Sequence, residues 1–130
     1  MLRRRLFAMA MLASAVLLCC APGVACGLRV GAHVAFYGSS GDPDVFVWET
    51  RFRLEDYQAG SLDTEQTLLP HARLAEPGTR AIVLACVAHY VHPRYRTFLD
   101  DAVYVKLLGG QYRNQTGWVM ASDLRVMRGR

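Results

Sequence analysis

The cysteine and histidine residues are the first candidates for chemistry in this chain. Cys86, His89 and His92 are spaced three residues apart, and thiolate and imidazole groups bind metal ions or form nucleophile–base pairs. They lie in an apolar run that predicts a β-strand, on which Cys86 and His89 point to opposite faces and Cys86 and His92 are about 20 Å apart. The spacing therefore predicts no catalytic residue, no metal ligand and no cofactor, and we do not expect an enzyme.

Two adjacent carboxylates, Asp100 and Asp101, form the second candidate group. Such a pair could serve as an acid and a base, or as ligands of a calcium ion. Adjacent acids before a strand more commonly belong to a solvated turn, and we interpret them in this way. His33 and His71 are isolated in the sequence, and both are interpreted as surface residues.

The first 25 residues have the pattern of a secretory signal peptide. Three arginines precede an apolar stretch at residues 6–20, which has the length of a signal sequence and is short for a membrane span. Gly23 and Ala25 supply the small residues that signal peptidase requires, so cleavage is predicted after Ala25. An uncleaved membrane anchor and a lipoprotein acylated at Cys20 or Cys26 are the alternatives.

The predicted mature domain, residues 26–130, is nearly neutral and contains no predicted membrane span. The whole chain has a net charge of +4, but removal of the three arginines at positions 3–5 leaves twelve basic and eleven acidic residues. This balance does not provide the basic surface of a nucleic-acid-binding protein. We therefore expect a single domain that is periplasmic or secreted and has no nucleic-acid partner.

Two of the four cysteines, Cys26 and Cys86, remain in the predicted mature chain. Because export would place them in an oxidising compartment, they are predicted to form a disulfide that ties the mature N-terminus to the domain. Closing a loop of about sixty residues is worth about 4 kcal/mol in the entropic model. In the alternative interpretation, Cys86 is a small buried hydrophobe and Cys26 is frayed or lipidated.

Alternating apolar residues predict about six β-strands and an all-β fold for the mature chain. The clearest strands are predicted at residues 28–37, 45–54, 80–90, 102–108 and 117–120. Residues 55–66 are polar and are predicted to form a loop. One face of the first strand is predicted to consist of Val30, Ala32, Val34 and Phe36. The core face of the second strand is predicted to consist of Phe46, Trp48, Thr50, Phe52 and Leu54.

The C-terminal stretch, residues 100–126, is predicted to organise the fold. Val103, Val105 and Leu107 lie on one face of its first strand. Gly117 is interpreted as a position where two backbones approach closely. Residues 121–124 are predicted to form a single helical turn, capped by Ser122 or Asp123, that returns Leu124 to the core. A small β-barrel closes in this way.

This half of the chain resembles bacterial SH3-like domains. Such domains end in a lysine-bearing strand, a hairpin, a Gly-Trp-Val strand and a short turn ending in Leu, and Lys106, residues 117–119 and Leu124 occur here in that order. Residues 74–84 look like the family's hydrophobic-x-x-x-Gly-Thr-x-hydrophobic segment. The resemblance covers residues 74–126 and implies a small SH3-like barrel. The remaining residues of the mature chain would form an N-terminal hairpin or enlarged loops.

The resemblance also implies a ligand groove, because aromatic residues line the grooves of SH3-like domains and bind peptides there. The aromatic residues predicted to line it are Tyr57, Tyr95, Tyr112 and Trp118. The arginines predicted to pair with carboxylates of a ligand are Arg94, Arg96 and Arg113. The alternative is that these rings pack the barrel and the arginine stems cover it.

The sequence thus predicts an exported, non-enzymatic binding module of the bacterial envelope. Its expected partner is a peptide, a protein or the peptide stem of peptidoglycan, the last from the resemblance alone. An inhibitor or immunity-type protein that docks on an enzyme through its loops is the alternative. A small hydrolase is disfavoured because the sequence shows no nucleophile–base pair.

Overall fold

The computed structural model describes residues 26–38, 44–60, 66–93 and 97–128. The predicted signal peptide, residues 1–25, lies outside the described residues. The secondary structure consists of β1 (His33–Phe36), β2 (Val45–Trp48), α1 (Arg51–Ala59), a 3₁₀ turn (Leu69–His71), β3 (Ala72–Ala75), β4 (Arg80–Val91), β5 (Asp100–Leu107), β6 (Thr116–Met120), a second 3₁₀ turn (Ala121–Asp123) and β7 (Leu124–Val126). Among the described helices, none combines the length and the apolar character needed to cross a bilayer.

The seven strands form one curled antiparallel sheet in the order β3-β2-β6-β5-β4-β1-β7. Curling turns the sheet into a half-barrel, so the predicted small, predominantly β, barrel-like fold is confirmed. The long central strands β4 and β5 are paired along most of their length, from Ala81 opposite Leu107 to Val91 opposite Asp100. The predictions for these two strands and for β6 are confirmed.

The first core fills the concave side of the sheet. Its residues alternate along the strands, as expected for a sheet with one face packed inside. Val103, Val105 and Leu107 of β5 are almost fully buried, as predicted. The buried members of this core are Val34, Phe36, Val45, Val47, Ala75, Ala81, Val83, Val103, Val105, Leu107, Val119 and Leu124.

The turn after β6 closes the half-barrel as the sequence predicts. Residues Ala121–Asp123 form a 3₁₀ turn, and Leu124 returns to the first core with 8% of its surface exposed. The predicted cap by Ser122 or Asp123 is wrong, because no side chain caps this turn at its N-terminus. The close approach at Gly117 is confirmed, since a Cβ atom there would lie 2.9 Å from the carbonyl oxygen of Trp48.

The prediction of one long strand over residues 45–54 is wrong. The strand ends at Trp48, and a helix begins at Arg51 because the Thr50 hydroxyl accepts a hydrogen bond of 3.2 Å from the Arg53 backbone N–H. A Thr at this position satisfies one of the free donors of a helix start. The predicted core face is confirmed for Trp48 and Leu54, which are buried, and is wrong for Phe52, which is 62% exposed. Val45 and Val47, predicted on the other face, are buried as well.

The loop predicted at residues 55–66 is also wrong in its first part, since α1 continues to Ala59. The segment β2–α1–β3 is inserted between β1 and β4, so the extra residues form an enlarged connection rather than an N-terminal hairpin. The first predicted strand is shorter than expected, because Gly31 adopts a positive φ of 86° and Val30 is 71% exposed. Of the residues predicted to share one face of this strand, Val34 and Phe36 are buried.

A second core lies where α1 meets the convex side of the sheet. Leu54 is the buried residue of the helix, and it packs in a cluster with Trp48 and Ala102. Val91 and Leu68 complete the buried part of this cluster. The sheet is therefore covered on both faces beside α1. This explains why Trp48 and Val47 are both buried although they are neighbours in β2 and point to opposite faces.

Candidate functional site

The predicted disulfide partners lie together at the N-terminal edge of the described domain. Cys26 and Cys86 are in disulfide position, with their Cα atoms 6.0 Å apart and sixty residues between them in sequence. This separation is within the range that native disulfides require. The structure is therefore consistent with the predicted pairing, and it attaches the first described residue to β4.

Asp101 holds this junction with both of its carboxylate oxygens. Oδ2 accepts a hydrogen bond of 3.0 Å from the Gly27 backbone N–H and lies 3.2 Å from the Cys26 sulfur. Oδ1 accepts a bond of 3.0 Å from the His89 backbone N–H. His89 has a positive φ of 52°, within an irregular part of the β4–β5 ladder. The aspartate thus links Gly27, the cysteine pair and the distortion of β4.

The interpretation of Asp100 and Asp101 as a solvated turn is wrong, because both lie in β5 and both carboxylates accept hydrogen bonds from backbone N–H groups. Asp100 has a different role from Asp101. It is only 9% exposed. One carboxylate oxygen accepts from the Asp101 backbone N–H at 2.8 Å and the other from the Ser122 N–H at 3.1 Å. Because a carboxylate stabilises backbone donors at the start of a helical turn, Asp100 joins β5 to the turn that closes the half-barrel.

The remaining histidines are at the surface of the described domain. His33 is exposed. His71 is partly exposed, and its Nδ1 atom lies 3.3 Å from a carboxylate oxygen of Glu49. This places His71 in an exposed pair between the start of β3 and the end of β2. Exposed pairs of this kind contribute little to stability.

Trp118, a predicted ligand-binding residue, lies on the convex face of the central sheet. It is directly opposite Tyr104 in the β5–β6 ladder, and the two rings stack with centroids 5.1 Å apart at an angle of 29°. The Tyr104 hydroxyl donates a 2.7 Å hydrogen bond to the Thr116 hydroxyl. All three side chains are half-buried, so each presents part of its surface to solvent.

Tyr57, a second predicted ligand-binding residue, is on α1 beside the same region. Its ring packs 4.7 Å from Trp48 and 5.7 Å from Phe46, measured between centroids. Tyr57 and Trp118 both pack against the second core. We call Tyr57, Tyr104, Trp118 and Lys106 the aromatic face. Lys106 belongs to it because it lies on the same side of β5 as Tyr104 and is paired with Thr116.

Basic and acidic side chains of α1 contact Tyr90 of β4. The Arg51 guanidinium lies 5.0 Å from the centroid of the Tyr90 ring and 5.6 Å from that of Phe52. The loss of hydration at Tyr90 raises the pKa of its hydroxyl above the ordinary value of 10.0. A hydrogen bond with Glu55 and the charge of Glu55 raise this pKa further, whereas Arg51 lowers it. These contacts hold α1 against β4.

Tyr112 and Arg113 lie in a different part of the molecule from the aromatic face. Tyr112 packs against the first core and borders a small pocket of about 90 Å³. Arg113 is exposed in the turn between β5 and β6. The residues that line the pocket are Leu74, Ala75, Glu76, Thr79, Leu107, Gly109, Gly110, Gln111 and Tyr112. The structure therefore divides the predicted groove residues between two locations.

Three predicted binding residues, Arg94, Tyr95 and Arg96, lie outside the described residues. The residues that sequence reasoning missed are Tyr104 and Arg51, whereas Asp101 was considered but interpreted as part of a solvated turn. Tyr104 had a usable signal, because alternation places it on the face opposite Val103 and Val105. Arg51 was missed because the helix start was missed. The proximity of Asp101 to Cys26 depends on a contact between residues 75 positions apart.

Comparison with protein-family models, with curated proteins and with solved structures finds no match to this chain. The geometry of the described residues therefore has to support any functional proposal.

Proposed function

We propose that this chain is an exported, non-enzymatic SH3-like module that binds a peptide through its aromatic face. The peptide is a segment of a protein partner or the stem peptide of peptidoglycan, which share amide groups and free carboxylates. The proposal is carried by one observation, the stacked and half-exposed pair of Tyr104 and Trp118 on the convex side of the central sheet.

The position of this pair favours recognition over packing. The first core lies on the other side of the sheet, and Trp118 packs only partly against the second core, so part of its ring and part of the Tyr104 ring remain exposed. Large rings that remain half-exposed on a rigid sheet lose little conformational entropy when they contact a ligand. Aromatic residues at such positions commonly contribute most of the energy of an interface.

The surrounding charges favour a ligand with a carboxylate. Lys106 lies on the aromatic face, on the same side of β5 as Tyr104, and Arg51 lies on α1, the helix that carries Tyr57. Both cations can pair with a carboxylate of a bound peptide. The apolar bodies of the rings would contact its side chains, as in other modules that bind extended peptides.

The order of elements supports the SH3-like part of the proposal. A lysine-bearing strand, a turn, a Gly-Trp-Val strand and a short turn ending in Leu follow one another as β5, residues 108–115, β6 and the 3₁₀ turn before Leu124. The pairing of Cys26 with Cys86 supports export, because disulfides persist in oxidising compartments.

The ligand class is tested by incubating the chain from Cys26 to Arg130 with purified peptidoglycan sacculi and, in parallel, with an envelope protein fraction. Sedimentation with sacculi would identify the stem peptide as the ligand source. Capture of one protein in stoichiometric amount would identify a segment of that protein as the ligand. Loss of either interaction in Trp118→Ala would attribute it to the aromatic face. Absence of binding in both arms would overturn the proposal.

A second candidate, an inhibitor that docks on an enzyme through its loops, is favoured by the turn between β5 and β6. Backbone hydrogen bonds from Arg113 to Gly110, from Asn114 to Leu107 and from Gln115 to Tyr112 fix its shape. A rigid exposed turn loses little entropy on docking. If the captured protein is an enzyme that loses activity, and Arg113→Ala but not Trp118→Ala abolishes capture, this second candidate replaces the first.

A further inference from the structure

The junction between Cys26 and β4 brings three metal-binding groups together. The sulfur atoms of Cys26 and Cys86 and a carboxylate oxygen of Asp101 all lie within 4.8 Å of one another. All three residues are half-buried. We propose that, when the disulfide is reduced, these residues form a binding site for a thiophilic divalent cation of the Zn²⁺ class. This inference is independent of the peptide-binding proposal.

The spacing of the groups fits a tetrahedral ion. Zn–S bonds are about 2.3 Å and Zn–O bonds about 2.1 Å, so two sulfur ligands of one ion lie about 3.8 Å apart. After reduction the two sulfurs need only move apart to that distance, and the Cα separation of 6.0 Å permits it. The Cys26 sulfur is already 3.2 Å from the Asp101 carboxylate. Water completes the coordination of the ion.

The carboxylate is already oriented by a second layer of contacts. The Gly27 and His89 backbone N–H groups each donate to it at 3.0 Å. Metal-binding carboxylates are commonly hydrogen-bonded in this way, which fixes their orientation and lowers the cost of binding. This arrangement distinguishes the site from two cysteines that merely lie near an acid.

The disulfide and the metal-bound pair of thiolates cannot exist at the same time. A phosphine reductant supplies two electrons, two protons from water form the two thiols, and the phosphine becomes its oxide. Binding of the cation then displaces the two thiol protons to the buffer and forms two metal–sulfur bonds. In the oxidised chain the same sulfur atoms are bonded to each other, so neither can act as a thiolate ligand.

The test is titration of the phosphine-reduced chain with Zn²⁺, and with Cd²⁺ monitored by thiolate-to-metal absorption. We expect one ion per reduced chain and no such binding by the oxidised chain. We also expect the reduced chain to have a higher unfolding midpoint with metal than without it, because a ligand that binds the folded state stabilises that state. Asp101→Asn should weaken binding at least about tenfold. Glu76→Gln, which removes a carboxylate outside the site, should bind like the wild type.

Four outcomes would overturn the proposal. They are failure of the reduced chain to bind either ion, equal binding by the oxidised chain, equal affinity of Asp101→Asn, and binding that leaves the unfolding midpoint unchanged. The last would show that the ion has no preference for the folded chain over the unfolded chain. If the reduced chain is unfolded without metal, refolding on addition of Zn²⁺ supports the proposal, and Asp101→Asn should then require more metal to refold.

Discussion

The Trp118 indole lies against the Tyr104 ring across the β5–β6 ladder, with centroids 5.1 Å apart. Both rings are half-buried on the side of the sheet that faces away from the first core. The pair is held by its strands and by the hydrogen bond from Tyr104 to Thr116. It therefore forms a rigid apolar surface that is already ordered, so that little conformational entropy is lost when a ligand binds.

Gly117 should be intolerant of any side chain. An alanine Cβ there would lie 2.9 Å from the Trp48 carbonyl oxygen and would also clash with Val47. This clash can be relieved only if β2 and β6 move apart, which breaks their contact. Gly117→Ala should therefore lower the free energy of unfolding by about 1–3 kcal/mol. Urea unfolding measures this change. Gly109→Ala, where a Cβ meets nothing within 4 Å, should change it by less than about 0.5 kcal/mol.

Asp100 should stabilise the closing turn through its two acceptor oxygens. Asp100→Ala leaves the backbone N–H groups of Asp101 and Ser122 without this partner, and it should cost about 1–3 kcal/mol. Asp100→Asn retains one acceptor oxygen and should cost less. Thermal unfolding of the two variants compares them directly, and equal stability of Asp100→Ala and wild type would refute this role.

The Cys26–Cys86 disulfide should make a large contribution to stability. Sixty residues separate the two cysteines, so the loop-entropy model assigns the cross-link about 4 kcal/mol. The double variant Cys26→Ser/Cys86→Ser should therefore unfold at a much lower urea concentration than the oxidised wild type. The same variant and the metal-free reduced wild type should have similar stabilities. A difference below about 1 kcal/mol between the oxidised chain and the variant would contradict the cross-link.

Tyr90 should make stability fall at alkaline pH. The folded chain raises the pKa of Tyr90, chiefly through loss of hydration and contact with Glu55, so the folded state holds this proton more tightly than the unfolded state. The resulting stability is fully present below the unfolded pKa of about 10 and is lost as the pH rises through the folded pKa. Tyr90→Phe should therefore lose less stability than wild type between about pH 9 and pH 12. Parallel pH profiles of the two proteins would contradict this assignment.

The parts of the fold that could be predicted are those with uninterrupted alternation. The buried residues Val103, Val105 and Leu107 mark β5, and Gly117 and Leu124 mark the close approach and the return to the core. The helix α1 could not be recognised by alternation because residues 51–54 continue the alternating pattern of β2. The local signal for the helix was Thr50, whose hydroxyl accepts a hydrogen bond from the Arg53 backbone N–H and so caps the helix start.

The candidate site was less predictable than the fold. The side of the sheet on which Trp118 lies follows from alternation, but its contact with Tyr104 depends on the register between β5 and β6. Tyr112 looked equivalent to Trp118 in sequence, yet it packs against the first core. The contact of Asp101 with Cys26 arises only because the folded chain brings Cys26 next to β4 and β5, 75 residues away from Asp101 in sequence. No local pattern contains that information.

The most direct test of the central claim compares three chains for retention by peptidoglycan sacculi and by the envelope protein fraction. These are the wild type, Trp118→Ala and Tyr37→Ala, a matched control that removes a 49% exposed ring packed under Arg125 rather than on the aromatic face. We predict that one ligand retains the wild type and Tyr37→Ala equally, and that folded Trp118→Ala binds it about thirtyfold more weakly. Equal retention of Trp118→Ala and the wild type, or no retention of the wild type in either arm, would contradict the account.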